Sequence, residues 1–336
     1  MVLYLVIPCY NEEAVLPITA AAVREKMETL IAAGTIGADS RVLFVDDGSR
    51  DGTWAGLERL TGETPLFAAL KLAHNVGHQN ALLAGLMEAK EHCDAAVSMD
   101  ADLQDDINAI DGFLAKYAEG CDVVYGVRNK RDTDTRFKRT TALAFYRLMG
   151  AMGVESVYNH ADYRLMSRRA LEALSEYREV NLFLRGIVPL IGYRSDYVYY
   201  DRHERAAGES KYPLKKMLNF AVEGITSFSV RPLRIISTFG IIIACLSVFG
   251  LLYSLISKLT GSAVSGWTAI VASIWLLGGI QLLCIGVCGE YIGKIYSEVK
   301  ARPRYHEERL ILTEKAPSIL PGENAGDGRG RKETEK

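Results

Sequence analysis

Residues 97–106 read VSMDADLQDD: the apolar positions Val97 and Met99 run into Asp100, Asp102, Gln104, Asp105 and Asp106. An apolar run that ends in closely spaced acids marks a buried strand reaching the rim of a sheet, and sheets of alternating strands and helices take their ligands at that rim. Asp100 and Asp102, two residues apart, would face one side of an extended backbone. Hard carboxylate oxygens so placed suit Mg2+ or Mn2+ bound together with substrate phosphates. The same stretch also reads as the acidic N-terminus of a helix, because Asp105 and Asp106 precede the helical spacing Ile107, Ile110, Phe113, Leu114. Short acidic motifs recur by chance, so the stretch by itself leaves both readings open.

Outward from it, short apolar runs alternate with helical patterns. LYLVI is followed by a helix over 12–33, RVLFV by a helix after Asp51, LFAALKL by a helix over 77–91, and AAVSM by another helix before DVVYG. This alternation predicts a mostly parallel sheet covered on both faces. A polar cluster follows each of the first four strands: Pro8, Tyr10, Asn11 and Glu12; then Asp46, Asp47, Gly48 and Ser49; then Asn75 and Gly77; then the acidic stretch itself. Any one is an ordinary turn or cap. Four on one rim predict a binding cleft.

Composition narrows the class. A chain of 336 residues that is 49% hydrophobic can bury a large core, and a net charge of -2 excludes a globally basic nucleic-acid binder. The six cysteines lack paired CxxC spacing, which argues against structural zinc or a disulfide framework and fits a reducing cytosol. The start, VLYLVIP, reads as a first strand rather than a signal peptide.

Residues 235–256 and 267–289 are uncharged and about as long as the roughly 20 residues that cross a bilayer as a helix. Arg231 and Arg234 precede the first, Lys294, Lys300, Arg302 and Arg304 follow the second, and Lys258 alone lies between. The positive-inside rule then puts both ends in the cytosol. From Lys211, the positions Leu214, Met217, Leu218, Ala221, Val222 and Ile225 form one helical stripe with basic flanks, a candidate for the headgroup plane. LFLRGIVPLIGY, 182–193, is a second candidate for dipping into that surface. Arg128, Lys130, Arg131, Arg136, Lys138 and Arg139 make a basic segment that is either a solvated loop or a phosphate receiver. Asp162 sits where a short strand-like piece runs into a helix, with a buried capping role as the plain alternative. The resulting division is a cytosolic catalytic domain over 1–210, an interfacial helix and basic segment over 211–234, two transmembrane helices over 235–290, a cytosolic juxtamembrane segment over 291–312, and a disordered tail over 313–336.

Taken together and in order, IPCYNEE, VDDGSRDGTW, SMDADLQDD, GVRN, ADYRLMSR and RAAGESKY, followed by the apolar pair, resemble the family 2 glycosyltransferases that load a sugar onto a polyprenyl phosphate, such as the bactoprenol glucosyltransferases and dolichol-phosphate mannose synthases. The resemblance covers about residues 2–305. It implies a GT-A fold, a nucleotide-sugar donor and inversion at the anomeric carbon. It also implies that Pro8, Tyr10, Asn11, Glu12, Asp46 and Asp47 hold the nucleoside side of the donor, and that Asp100, Asp102 and Gln104 surround its diphosphate and metal. Asp102 would be the first metal contact, with Asp100 on the donor's nucleoside side or in a shared ligand role. Asp105 and Asp106 are then left as helix N-terminal residues. Arg205, Ser210 and Lys211 would close a loop over the donor phosphates, and Arg128 and Arg139 would receive the lipid phosphate. Asp162 would position the acceptor, with weak help as a base.

The two-helix form leans towards UDP-glucose as donor and undecaprenyl phosphate as acceptor at the plasma membrane. Similar proteins form tetramers, for which the RPRYH segment, 302–306, could be a contact. A processive polysaccharide synthase would share the acids but carry QxxRW, and the tryptophans here are Trp54, Trp267 and Trp275 only. A non-catalytic membrane adaptor would be expected to have lost Asp100, Asp102 or Arg205, and all three are present.

Overall fold

The computed structural model describes residues 1–128, 160–180, 182–201, 229, 231–259 and 266–312. Arg139, Arg205, Ser210, Lys211, all six positions of the expected interfacial stripe and the tail lie outside the described residues.

The expected alternation is present: β1 (Leu3–Cys9), α1 (Leu16–Ala32), β2 (Arg41–Asp46), α2 (Thr53–Glu63), β3 (Phe67–Leu72), α3 (His78–His92), β4 (Ala95–Ser98), α4 (Ala109–Ala118) and β5 (Val123–Arg128). Then come β6 (His160–Ser167), α5 (Arg168–Ser175), α6 (Leu184–Leu190), β7 (Ser195–Tyr200), α7 (Arg231–Leu259), α8 (Trp267–Lys300) and β8 (Glu307–Ile311). Helix α1 starts four residues later than its pattern predicts. The Glu12 carbonyl accepts the N–H groups of Val15 and Leu16 in a preceding turn, and Pro17 sits in the first helical turn, where its missing N–H costs nothing.

The strands form one sheet in the order β7-β5-β6-β4-β1-β2-β3-β8. The centre, β4-β1-β2-β3, is parallel as expected, whereas β6 runs antiparallel to both β4 and β5, and β8 antiparallel to β3. Pro8 lies inside β1, not after it. Val6 O accepts Met99 N while Cys9 O accepts Asp47 N, so Pro8 faces the β4 side, where that ladder has already ended at Ser98. Its absent N–H therefore breaks no ladder bond.

Alternation of two along each strand divides the core between the two faces. Leu3, Leu5 and Ile7 meet Leu16, Val23, Met27, Leu57 and Phe113 on the side of α1, α2 and α4. Tyr4 and Val6 meet Leu82, Leu86, Leu171, Leu174 and Ile187 on the side of α3, α5 and α6. Each such aliphatic side chain contributes about 1.5–3 kcal/mol on burial.

Two stretches sit differently from expectation. Residues 182–193 include α6, whose Leu184, Ile187 and Val188 are buried against the sheet rather than turned to a membrane; Leu190 is exposed. Residues 307–311, grouped above with a separate juxtamembrane segment, are the eighth strand of the same sheet, joined at its edge by Lys71–Glu308 at 2.8 Å. In RPRYH, Arg304 Nη2 donates to Tyr177 O at 2.6 Å and Tyr305 packs on the domain's own core. Those two side chains are thereby turned onto their own domain.

The two apolar segments are helical throughout as α7 and α8, and they expose Ile241, Leu246, Phe249, Leu282 and Ile285. Among the described residues one stretch, Leu276–Lys300, is long and apolar enough to cross a membrane.

Candidate active site

The parallel strands β1, β2, β3 and β4 end on one rim, and the loops after them interlock. Gly48, at φ +65, brings the β2 loop against the β3 loop so closely that a Cβ would lie 2.6 Å from His74 C and 2.7 Å from Asn75 N. Only glycine combines that φ with that approach. Asp47 then clamps the neighbouring loop: Oδ1 accepts Val76 N at 2.7 Å, and Oδ2 accepts Gly77 N and Asn75 Nδ2, both at 3.0 Å. Burial pushes its carboxyl up and the two backbone N–H bonds oppose this.

Asp46 is different. It is fully buried; Oδ1 accepts Ser49 N at 3.3 Å, while Oδ2 has no hydrogen-bond partner among the described residues. Burial pushes its carboxyl up. A buried oxygen that needs a donor is what a ligand N–H or hydroxyl would satisfy. Asn11, at φ +54, ties the β1 loop to the β2 loop, its N–H donating to Ser49 Oγ and its Oδ1 accepting Arg50 N, both at 2.9 Å. Glu12 N donates to Thr53 Oγ1 at 2.9 Å, and Tyr10 is exposed on the rim.

The acidic stretch behaves as a strand end. Asp100 follows β4 by two residues and keeps 38% of its side chain exposed. Desolvation pushes its pKa up; His78 opposes this, and Asp162, Asp105 and Asp102 add to it. Asp102 Oδ1 accepts Gln104 N at 3.3 Å across Leu103, which has a positive φ of 53, and Gln104 is buried. Asp105 is not a helix cap. Its side chain is 1% exposed, and Oδ1 accepts Arg128 Nη2 at 2.9 Å, Arg128 Nε at 3.2 Å and the Tyr200 hydroxyl at 2.6 Å. Asp106 instead accepts Asn108 N at 2.9 Å in the turn before α4. The Arg128 guanidinium, expected at the lipid phosphate, is thus engaged on one edge by a buried carboxylate.

Strand β6 brings in Asp162. Its ladder with β4 pairs Ser98 with Arg164, and the Ser98 hydroxyl donates to Asp162 O; two residues further the register sets Asp100 opposite Asp162. Asp162 is buried and does not cap a helix; that role belongs to Ser167, which accepts Ala170 N at 3.1 Å. Arg164 Nη2 donates to Asp162 Oδ1 at 2.6 Å, and Arg185 donates from Nε to Oδ1 at 3.2 Å and from Nη2 to Oδ2 at 3.1 Å. Burial alone would raise its pKa, but Arg185 and Arg164 hold the carboxyl well below the usual carboxylate range. The linear reading did not single out Arg164, Arg185 or His78. His78 Nε2, at the start of α3, lies 3.5 Å from Asp100 Oδ1 and 3.7 Å from Asp162 Oδ2. Arg185 arrives from α6, and no local pattern connects it to Asp162.

Among the described residues no three His, Cys, Asp or Glu side chains converge as a metal cage of their own. The donor set nevertheless fits Mg2+ or Mn2+. Asp100 and Asp102 present hard carboxylate oxygens after β4, and such cations commonly take one or two carboxylates and complete their shell with substrate phosphates.

Residues 4–175 match the family model described as glycosyl transferase family 2. The chain is 55% identical over 304 residues to the uncharacterized glycosyltransferase YkoT of Bacillus subtilis, covering 90% of each. It is 40% identical over 307 residues to the SfII prophage-derived bactoprenol glucosyl transferase of Shigella flexneri, covering 91% of this chain and 97% of that one. A prophage bactoprenol glucosyl transferase homolog of Escherichia coli is 40% identical over 312 residues, covering 92% and 99%.

Proposed function

The chain belongs to glycosyl transferase family 2, and from that premise we propose that it moves one sugar, glucose by preference, from a UDP-sugar to a polyprenyl phosphate at a membrane surface, with inversion. The observation that carries this reading is the meeting on one rim of strand-end carboxylates, Asp100 and Asp102, with the arginine-held Asp162 opposite them. The 40% identity to a bactoprenol glucosyl transferase over nearly its whole length supports the lipid acceptor.

In this reading Asp46 Oδ2 accepts from the nucleoside, Asn11 and Glu12 hold the two loops around it, and Asp102 with Asp100 would hold a divalent cation. Such a cation neutralises charge on the leaving diphosphate. An oxygen of the lipid phosphate forms the new bond to the anomeric carbon as the bond to the diphosphate breaks, and the electron pair leaves with UDP. That nucleophile is already anionic near neutral pH, so a strong base is not required. Asp162, ionised between two arginines, is a positioning group for the reacting centre. Arg128 and Arg139 take the acceptor phosphate, and Arg205, Ser210 and Lys211 close over the donor.

Helices α7 and α8 cross the plasma membrane as a hairpin in this reading, with the catalytic domain and both termini on the cytosolic side. The acceptor head then meets the cleft at the surface where its tail is anchored. The test supplies membranes containing the full chain with radiolabelled UDP-glucose, undecaprenyl phosphate and Mg2+ or Mn2+. Expected is a butanol-extractable labelled lipid that EDTA abolishes. Absence of lipid product with every UDP-sugar tried would instead point to a non-catalytic adaptor.

A further inference from the structure

Asp105 commits a buried carboxylate to two neighbours, Arg128 and Tyr200. Its Oδ1 receives both the Nε and Nη2 groups of Arg128 and the hydroxyl of Tyr200, and its Oδ2 is buried without a hydrogen-bond partner among the described residues. A buried charged oxygen left unpaired opposes folding, so the arrangement is poor as a device for stability alone. The surroundings are tight and aromatic. Tyr163 and Tyr200 meet edge to face at 5.4 Å, Phe113 and Tyr163 at 4.8 Å, and Gly126 packs where a Cβ would stand 2.9 Å from both Tyr163 O and the Tyr200 ring. A guanidinium held by Nε and one terminal nitrogen is fixed in its plane as well as in position, and its other terminal nitrogen is turned away from Asp105. Arg128 is the last residue of β5, and Asp105 follows Asp102 and Gln104 by only a few residues in the loop after β4.

We propose that Asp105, with Tyr200, is the positioning residue that sets Arg128 to receive the acceptor phosphate, tying the acceptor subsite to the Asp102–Gln104 loop that faces the donor diphosphate. The inference rests on the reading of Arg128 as an acceptor-phosphate residue. It gives the third acid of the motif a task that is neither metal binding nor helix capping: it fixes the separation between attacking and leaving phosphates.

The test measures binding to the full chain in detergent of farnesyl phosphate, a short polyprenyl phosphate, with farnesol and UDP as controls and the melting temperature followed in parallel. Arg128→Ala and Asp105→Asn should each weaken farnesyl phosphate about tenfold, the worth of roughly one charge-assisted bond. Farnesol and UDP affinities should stay within about twofold. Asp105→Asn placed on Arg128→Ala should add nothing. If Arg128→Ala weakens farnesyl phosphate and Asp105→Asn does not, the positioning role is overturned while the acceptor reading stands. If Arg128→Ala itself has no effect, the acceptor reading of Arg128 falls and this inference with it. Loss of UDP and farnesyl phosphate affinity together with a large fall in melting temperature would reduce Asp105 to a structural role. Should Asp105→Asn fail to fold, Tyr200→Phe decides: weaker farnesyl phosphate with unchanged UDP supports the proposal, and no change overturns it.

Discussion

Arg185 grips both oxygens of Asp162, Nε donating to Oδ1 at 3.2 Å and Nη2 to Oδ2 at 3.1 Å. A carboxyl whose pKa lies below its ordinary 3.8 when folded holds its proton more weakly than in the unfolded chain. Its stabilising contribution is therefore complete above that ordinary value and is lost only as pH falls below it, towards the depressed value. Any acid limb of the rate profile between about pH 5 and 7 must then belong to another group. Arg185→Met, which removes the largest of the cationic influences lowering Asp162, should move the titration of this carboxyl upward in a carbon-detected NMR series.

Asp162→Asn removes the counter-charge of Arg164, which is 2% exposed, and leaves that guanidinium buried without an anion. Breaking such a pair costs about 3–5 kcal/mol. The variant should therefore lose melting temperature as well as turnover. Loss of rate in Asp162→Asn supports a chemical role only if the folded fraction is measured on the same sample.

The adjacent acids Asp46 and Asp47 should separate cleanly. Asp47→Ala releases Val76, Gly77 and Asn75 together and should lower stability by about 3 kcal/mol in urea titration. Asp46→Asn removes a buried charge with an unpaired oxygen and should leave the ligand-free melting temperature unchanged or higher. UDP affinity should fall in both, and in Asp46→Asn it should fall without loss of fold.

Gly48→Ala should cost roughly 1–3 kcal/mol from its positive φ alone, before the 2.6 Å approach to His74 is relieved. Because that loop also carries Asp47, UDP binding should weaken in step with stability, measured by melting in the presence and absence of UDP.

Removing residues 307–336 deletes β8 and uncovers the β3 edge, whose loop leads to Asn75 and Gly77. Melting temperature should drop by roughly 5–10 °C. By contrast Glu308→Ala, which breaks only the partly exposed ion pair with Lys71, should change stability by less than about 1 kcal/mol.

The sequence by itself determined the alternation of strands and helices, the clusters at the strand ends and the two apolar segments, because each is written in local periodicity and short spacing. It placed Asp46, Asp47, Asp100 and Asp102 at a rim, and the motifs from IPCYNEE to RAAGESKY, in order and followed by the apolar pair, carried the resemblance to the family. What it could not determine was which charge answers which. Asp105 read as a helix cap because its sequence neighbours are acids before a helix; its partners, Arg128 and Tyr200, arrive from β5 and β7. Asp162 read as an acceptor-positioning residue or a buried cap, without its cations, because Arg185 comes from a distant helix, and β8 read as part of a juxtamembrane segment because antiparallel pairing with β3 spans most of the chain. Tertiary structure decided these matters, since the energy of a buried carboxylate depends on the donors that the fold brings within about 3 Å, and sequence separation carries no record of that distance.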